Sequence, residues 1–270
     1  MTATRVIGPN GHLSGAVSVL RDISAEKALQ EQKEQFVAYA SHELRTPITN
    51  LKTRLYLMRK QPERLGDHLT VLEEVADRMR RLVEDLLDMS RFERGVIALR
   101  KQRVVLQDLA CNVTVVQKPE AEHKCLELSC EVPPHPIYVE ADPERLVQVI
   151  TNLLNNAIKY SPPEKNIRVT TQLIRSAEDL PASAPPDVVL PAILVTMLDQ
   201  GKGLTQDEVD KVFMPFFRTE HARASKIEGV GLGLPLSRSI IEMHRGKIWA
   251  EPRERASGGR FLFTLPIVMN

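Results

Sequence analysis

The sequence is short of the features that assign a function quickly. Its three cysteines, Cys111, Cys125 and Cys130, form neither an even disulfide framework nor a repeated CxxC zinc pattern. That argues against a disulfide-stapled scaffold or a zinc module and for a reducing cytosol, with the cysteines as incidental packing residues. An excess of one charge is also lacking. The 36 basic and 35 acidic residues leave a formal charge of +1, which offers no field to nucleic acid or to an anionic membrane. Long apolar runs are missing: the longest, Val188 to Leu198, is broken by Pro191 and Thr196 and falls short of the roughly 20 residues that span a bilayer. Met1 to Gly15 has no apolar core of the signal-peptide kind, so any sensor or anchor is expected outside this sequence.

What is present is a folded chain, 43% apolar over 270 residues, enough for roughly two domains of ordinary size. The β-branched stretch Gly15 to Leu20 predicts one short strand. Ser24 then serves as an N-cap, and nothing breaks the helix that follows before Pro47. Val37, Ala40, Leu44, Ile48, Leu51, Leu55 and Met58 recur at spacings of three and four, the seam of a helical bundle. A polar break at Arg59 to Asp67, with Pro62 and Gly66, reverses the chain. Leu69, Leu72, Ala76, Met79, Val83, Leu86 and Met89 then repeat the pattern toward Gly95. A hairpin with one apolar stripe per helix cannot close its own core, so two copies are expected to pair as a dimeric four-helix bundle.

Beyond Arg100 the pattern is mixed. Strands are predicted at Leu126 to Val132, Ile137 to Glu140, Ile167 to Ile174, Ala192 to Asp199, Lys247 to Ala250 and Arg260 to Pro266. Helices are predicted at Gln107 to Val116, Pro143 to Tyr160, Gln206 to Val212 and Leu232 to His244. This order implies an α+β sandwich with helices on one sheet face. The proline-rich segment Ser176 to Pro191 reads as a mobile surface loop.

Within the first helix lies Ser41-His42-Glu43-Leu44-Arg45-Thr46-Pro47. A neutral imidazole is a nitrogen nucleophile near neutral pH, and the neighbouring carboxylate can hold one ring N–H so that the other nitrogen presents its lone pair. Thr46 lies one turn on, within reach of a water attacking a phosphorylated ring. Pro47 leaves the carbonyl of Glu43 without its helical donor, which predicts a bend there. Taken alone, such a histidine is ordinarily a surface residue of a coiled coil.

On the predicted helix ending at Tyr160, Asn152, Asn156 and Lys159 fall at i, i+4 and i+7, placing two amides and an ammonium on one face while Leu153, Leu154, Ala157 and Ile158 cover the core side. The amide oxygen of Asn156 suits Mg²⁺, and Lys159 can neutralise phosphate charge. An asparagine-rich solvent face is the plainer alternative. Asp199-Gln200-Gly201-Lys202-Gly203 ends an apolar strand, where the carboxylate can accept a hydrogen bond from the amine of adenine and Gly201 and Gly203 admit close backbone approach. A plain strand-ending turn would look similar. Gly229-Val230-Gly231-Leu232-Gly233 opens a helix and offers backbone N–H groups and the dipole to phosphate oxygens. A Rossmann turn needs a strand directly before the glycines. The polar run Thr219 to Glu228 stands there instead and reads as a lid, with Arg218 and Lys226 placed to reach phosphates.

Together these segments resemble, in order, the H-box, N-box, first glycine box, F-box (Phe213-Met214-Pro215-Phe216-Phe217-Arg218) and second glycine box of two-component sensor histidine kinases, from about Ala25 to Pro266. The stretch FVAYASHELRTPI carries the resemblance furthest. The residues before Ser24, with Arg21-Asp22-Ile23, look like the tail of a PAS domain and its connector. Glu228 and Arg245 stand where many members carry glycine.

The resemblance implies a connector over 1–24, a dimerisation and phosphotransfer domain over 25–97, and an ATPase domain of the gyrase and histidine-kinase type over 98–270. It implies ATP-dependent phosphorylation of His42, with Glu43 and Thr46 in supporting roles, followed by transfer to a response-regulator aspartate on a separate chain. ATP is expected to lie among Asn152, Asn156, Lys159, Tyr160, Asp199, Gly201, Gly203, Arg218, Gly229, Gly231, Leu232 and Gly233, with Mg²⁺ on Asn156. Thr264 in FLFTLP resembles the strand backing the adenine pocket. A homodimer in the cytoplasm, free of nucleic acid and membrane contact, is the expected setting. A serine kinase on the same nucleotide fold would leave the HELRTP helix idle, and a dimeric scaffold would not need the nucleotide ligands.

Overall fold

The structure, a computed structural model, describes residues 2–7, 9, 13–19, 22–94, 97–225, 229–252 and 258–268. It divides into two compact units, Met1–Thr49 and Asn50–Asn270. In the first, strands β1 (Thr2–Ile7) and β2 (Leu13–Val19) pair antiparallel, so the expected strand gains a partner. Leu20, Arg21, Gly95, Lys226 and Glu228 lie outside the described residues. Helix α1 (Ser24–Lys60) begins here and continues through Pro47. Two residues beyond the proline, the Thr49 hydroxyl donates to the Arg45 carbonyl at 2.9 Å.

The second unit opens with a 3-10 turn at Pro62–Arg64, and helix α2 (Leu65–Glu93) follows at once. The break is shorter than the predicted Arg59 to Asp67 because Gly66 enters the first helical turn. Strand β3 (Gln102–Val105) precedes helix α3 (Leu106–His123), which runs past the predicted end at Val116 with Pro119 on its exposed side. Then come β4 (Glu127–Glu131), β5 (Tyr138–Ala141), α4 (Pro143–Tyr160), β6 (Asn166–Ile174), β7 (Ala192–Leu198), the short α5 (Glu220–Ala224), α6 (Gly233–Met243), β8 (Lys247–Glu251) and β9 (Arg260–Pro266). Gln206 to Val212 is not the predicted helix. The Thr205 N–H donates to the Glu208 carboxylate at 3.0 Å, the bond of a helix start, yet the chain makes only turns over 206–210 and a 3-10 turn at Lys211–Phe213.

The main sheet has the order β4-β6-β7-β9-β8, with β4 and β6 parallel and the other pairs antiparallel; β3 pairs separately with β5. Alternation along the central strands assigns the two faces. Ile193, Val195 and Met197 of β7 and Phe261, Phe263 and Leu265 of β9 join one core with buried residues of α3, α4 and α6. Leu194 and Leu262 face the other way, into a small cluster with Ile174 and Trp249. That second face explains the proline-rich segment. Leu180, Ala184 and Leu190 pack onto the cluster, the Trp249 indole donates to Ser183 at 3.2 Å, and Lys247 pairs with Asp187. The expected mobile loop is therefore a strap that covers apolar sheet surface.

The cysteines also depart from expectation. Cys111 of α3 and Cys130 of β4 are paired as a disulfide, while Cys125 is free and exposed. Their separation of 19 residues forms no spacing motif, and only the packing of helix on strand brings them together. Among the described residues no helix is long and apolar enough to cross a membrane.

Candidate active site

In the first unit, the HELRTP segment displays its histidine. The His42 side chain is 73% exposed and that of Glu43 is 27% exposed, with the His42 Nδ1 3.6 Å from the Glu43 carboxylate. Thr46 is exposed and Pro47 buried.

In the second unit, a cavity of about 360 Å³ lies beside α4. Asp142 caps this helix, accepting the Arg145 N–H at 3.3 Å, and Pro143 occupies the first turn, where a missing donor costs nothing. Leu146, Val149, Ile150, Leu153, Leu154, Ala157 and Ile158 are buried on the core side. The opposite face turns Asn152, Asn156 and Lys159 to the cavity, as their spacing predicted, and Tyr160 lines it beside them. The last turn is closed by Lys124, whose Nζ donates to the carbonyls of Ile158 at 2.6 Å and Lys159 at 2.7 Å; burial lowers the pKa of that ammonium. Burial raises the Tyr160 pKa, against the charge and hydrogen bond of Arg218.

Asp199 follows β7 and is nearly buried at 6% exposure. Its Oδ1 accepts the backbone N–H groups of Gly201 at 2.8 Å and Gly259 at 2.9 Å, which anchors that oxygen from two sides of the chain. Gly201 does not line the cavity but backs Asp199, and a Cβ there would come within 2.6 Å of the Tyr160 carbonyl. Gly203, at φ +73°, does line it and adopts the left-handed conformation that favours glycine.

Across the cavity run Gly229, Gly231, Leu232 and Gly233 at the start of α6. Gly231, at φ +79°, is tied to the aromatic segment because Phe216 donates its N–H to the Gly231 carbonyl at 2.9 Å. Asn152 donates to the Gly233 carbonyl at 3.4 Å, so this amide links α4 to the glycine turn. Arg218 also lines the cavity and donates to the Ala222 carbonyl at 2.8 Å, holding α5. Thr264 does not reach the cavity; it is buried in β9, where its hydroxyl accepts the Lys247 N–H at 3.3 Å.

Several lining residues escaped sequence reasoning. Gly259 donates to Asp199 from the far end of the chain, and its Gly258-Gly259 pair was the available signal. Asn155 lines the cavity beside the two assigned asparagines. Arg78, Arg81, Leu82 and Asp85 of α2 form a further wall that no motif announced. Burial pushes the Asp85 carboxyl up to about 6, helped by Asp88 and Glu84 and opposed by Arg81.

Residues 32–95 match the His Kinase A (phospho-acceptor) domain, and residues 141–269 match the histidine kinase-, DNA gyrase B- and HSP90-like ATPase domain. The sensor protein kinase WalK of Staphylococcus saprophyticus is 31% identical over 265 residues, 97% of this chain and 41% of that protein. The chain thus spans less than half the length of that relative. Among solved structures, the complex of histidine kinase ThkA with response regulator TrrA is similar over 98% of this chain and 74% of that one, at a TM-score of 0.63 and 23% identity. The Acinetobacter baumannii histidine kinase AdeS is similar over 83% of this chain and 96% of that one, at a TM-score of 0.60 and 24% identity. The chain belongs to the two-component sensor histidine kinases.

Proposed function

We propose that this chain is the cytoplasmic catalytic core of its kinase, a homodimer that phosphorylates its own His42 from Mg·ATP and passes the group to an aspartate on a response-regulator receiver domain. The observation that carries the reading is Asp199 held rigid at one side of a cavity whose other walls present Asn156, Lys159 and a glycine-opened helix. A carboxylate clamped in that way suits the amine of adenine as an acceptor, and the ammonium and helix N-terminus suit the phosphates. A full-length histidine kinase of this fold, ShkA, has been solved with AMPPNP.

Among the described residues there is no group of three His, Cys, Asp or Glu side chains able to hold a metal by themselves. A single hard amide oxygen, from Asn156, fits Mg²⁺ that takes its remaining ligands from water and nucleotide phosphates. When bound, the ion would neutralise charge on the transferring group. Asp199, backed by Gly201, orients the base, Lys159 and the turn at Gly229, Gly231, Leu232 and Gly233 hold the phosphates, Arg218 secures the lid, and Asn152, Tyr160 and Gly203 shape the walls. Glu43 draws the Nδ1–H of His42, leaving the Nε2 lone pair to attack. The Nε2–P bond forms as the bond between the γ-phosphorus and the β-phosphate oxygen breaks. ADP departs, and the Nδ1 proton moves to Glu43. Thr46 then positions water for the reverse duty, dephosphorylation of the regulator.

The domain division of 1–24, 25–97 and 98–270, with a PAS-like tail at its start, accompanies this proposal. Dimerisation is supported by Val37, Ile48, Leu55, Leu69 and Val83, seam positions that remain 42–56% exposed in one chain. Incubating wild type, His42→Ala and Asp199→Asn with γ-labelled ATP and Mg²⁺ tests the whole reading. Label on wild type and on neither variant is expected. Equal labelling of His42→Ala would refute it.

A further inference from the structure

Helix α2 belongs to the phosphoacceptor domain by sequence, yet it walls the nucleotide cavity. Its C-terminal half is anchored there. The Asp88 carboxylate receives the Arg145 guanidinium at 2.5 Å, and that guanidinium also lies 5.9 Å from the Phe92 ring centroid. Leu82 and Met89 are buried, Phe92 packs on the main core, and α2 packs against α6. From the Asp88–Arg145 contact, residues 85, 82, 81 and 78 on α2 and residues 152, 155, 156 and 159 on α4 all reach the cavity. Ten residues of helix from Asp88 to Arg78 extend about 15 Å, the scale of a nucleotide. The assigned phosphate ligands supply one ammonium from α4, whereas α2 adds two guanidiniums, Arg78 and Arg81, facing the same space. Guanidinium is well matched to phosphate because its planar donors engage two oxygens together.

We infer that Arg78 and Arg81 are phosphate-contacting residues of the nucleotide pocket, so that bound nucleotide ties the ATPase domain to α2. The inference rests on the nucleotide reading proposed above and adds to it a contribution from the phosphoacceptor domain. A consequence is that nucleotide occupancy and the docking of α2 stabilise each other, since a ligand favours the arrangement with which it makes most contacts. The nucleotide then favours the arrangement in which α2 walls its pocket.

The test uses the full chain and Mg·AMPPNP. Calorimetry on wild type, on Arg78→Ala/Arg81→Ala and on Arg78→Lys/Arg81→Lys should show roughly tenfold weaker binding for the alanine pair and partial recovery for the lysine pair, the order expected for charge-assisted contacts. Hydrogen exchange guards against a folding artefact in the variants. In the wild type, nucleotide should slow exchange in peptides covering residues 75–89 as well as 152–160, and Asp199→Asn should abolish both effects. If wild type binds and protects 152–160 while 75–89 is unchanged and the alanine pair binds equally well, this inference fails and the nucleotide reading stands. If wild type does not bind Mg·AMPPNP, both fail.

Discussion

The Asp199 carboxylate accepts the backbone N–H of Gly259 at 2.9 Å, across 60 residues of chain. The turn after β7 and the residue before β9 therefore meet on one oxygen. A Cβ added at Gly259 would lie 2.6 Å from the other carboxylate oxygen. Gly259→Ala should displace Asp199 and weaken nucleotide binding by about tenfold or more. Titration with a fluorescent ATP analogue checks it, with the melting temperature measured alongside to separate site damage from unfolding.

The seam residues of the helical hairpin predict a self-association result. Burying one such side chain is worth about 1.5–3 kcal/mol, and in a symmetric dimer one substitution places a charge in the seam twice. Val83→Asp should shift the chain from dimer to monomer in light scattering at micromolar concentration. The ATPase domain's cooperative melt should survive, because Val83 is 42% exposed in a single chain.

Two groups with opposite signs shape stability against pH. His244 is buried, its Nε2 accepting the Asp142 N–H at 2.9 Å and its Nδ1 lying 2.8 Å from the Ile240 carbonyl. Burial lowers its pKa below the ordinary 6.5, so stability is full above that pH and declines as pH falls below it. Asp85 is raised from 3.8 to about 6, mainly by burial, so its contribution is present below 3.8 and is lost as pH rises through about 6. Asp85→Asn should thus gain roughly 1 kcal/mol at pH 8, after allowing for solvent screening, and little at pH 4. Thermal melts across that range decide the sign.

Arg245 holds φ +60° just after α6, while Gly246 donates to the Ile241 carbonyl at 2.9 Å to close the helix end. A left-handed residue with a side chain costs about 1 kcal/mol. Arg245→Gly should raise the melting temperature by roughly 2 °C for a domain of this size. A fall would show that the arginine side chain makes compensating contacts.

How much of this could be read from the sequence varies by element. Helix α4 was legible to the residue because its apolar period and its polar face agree over Pro143–Tyr160. The glycine turn and Asp199 were legible because motif residues keep their neighbours along the chain. Strand β3 was missed, since Gln102–Val105 lacks alternation and is a strand only through its pairing with β5. The strap over the second sheet face was misread because its prolines signal a loop, whereas its fixation depends on Trp249, 66 residues from Ser183. The α2 wall was invisible for the same reason, since Asp88 and Arg145 lie 57 residues apart.

The central claim is a phosphorus–nitrogen bond on His42, and the chemistry of the label tests it most directly. After incubation with labelled Mg·ATP, the phosphorylated wild-type protein should lose its label in acid, keep it in alkali, and yield the labelled His42 peptide on digestion. Label that survives acid, or that maps to a serine or threonine, would contradict the account.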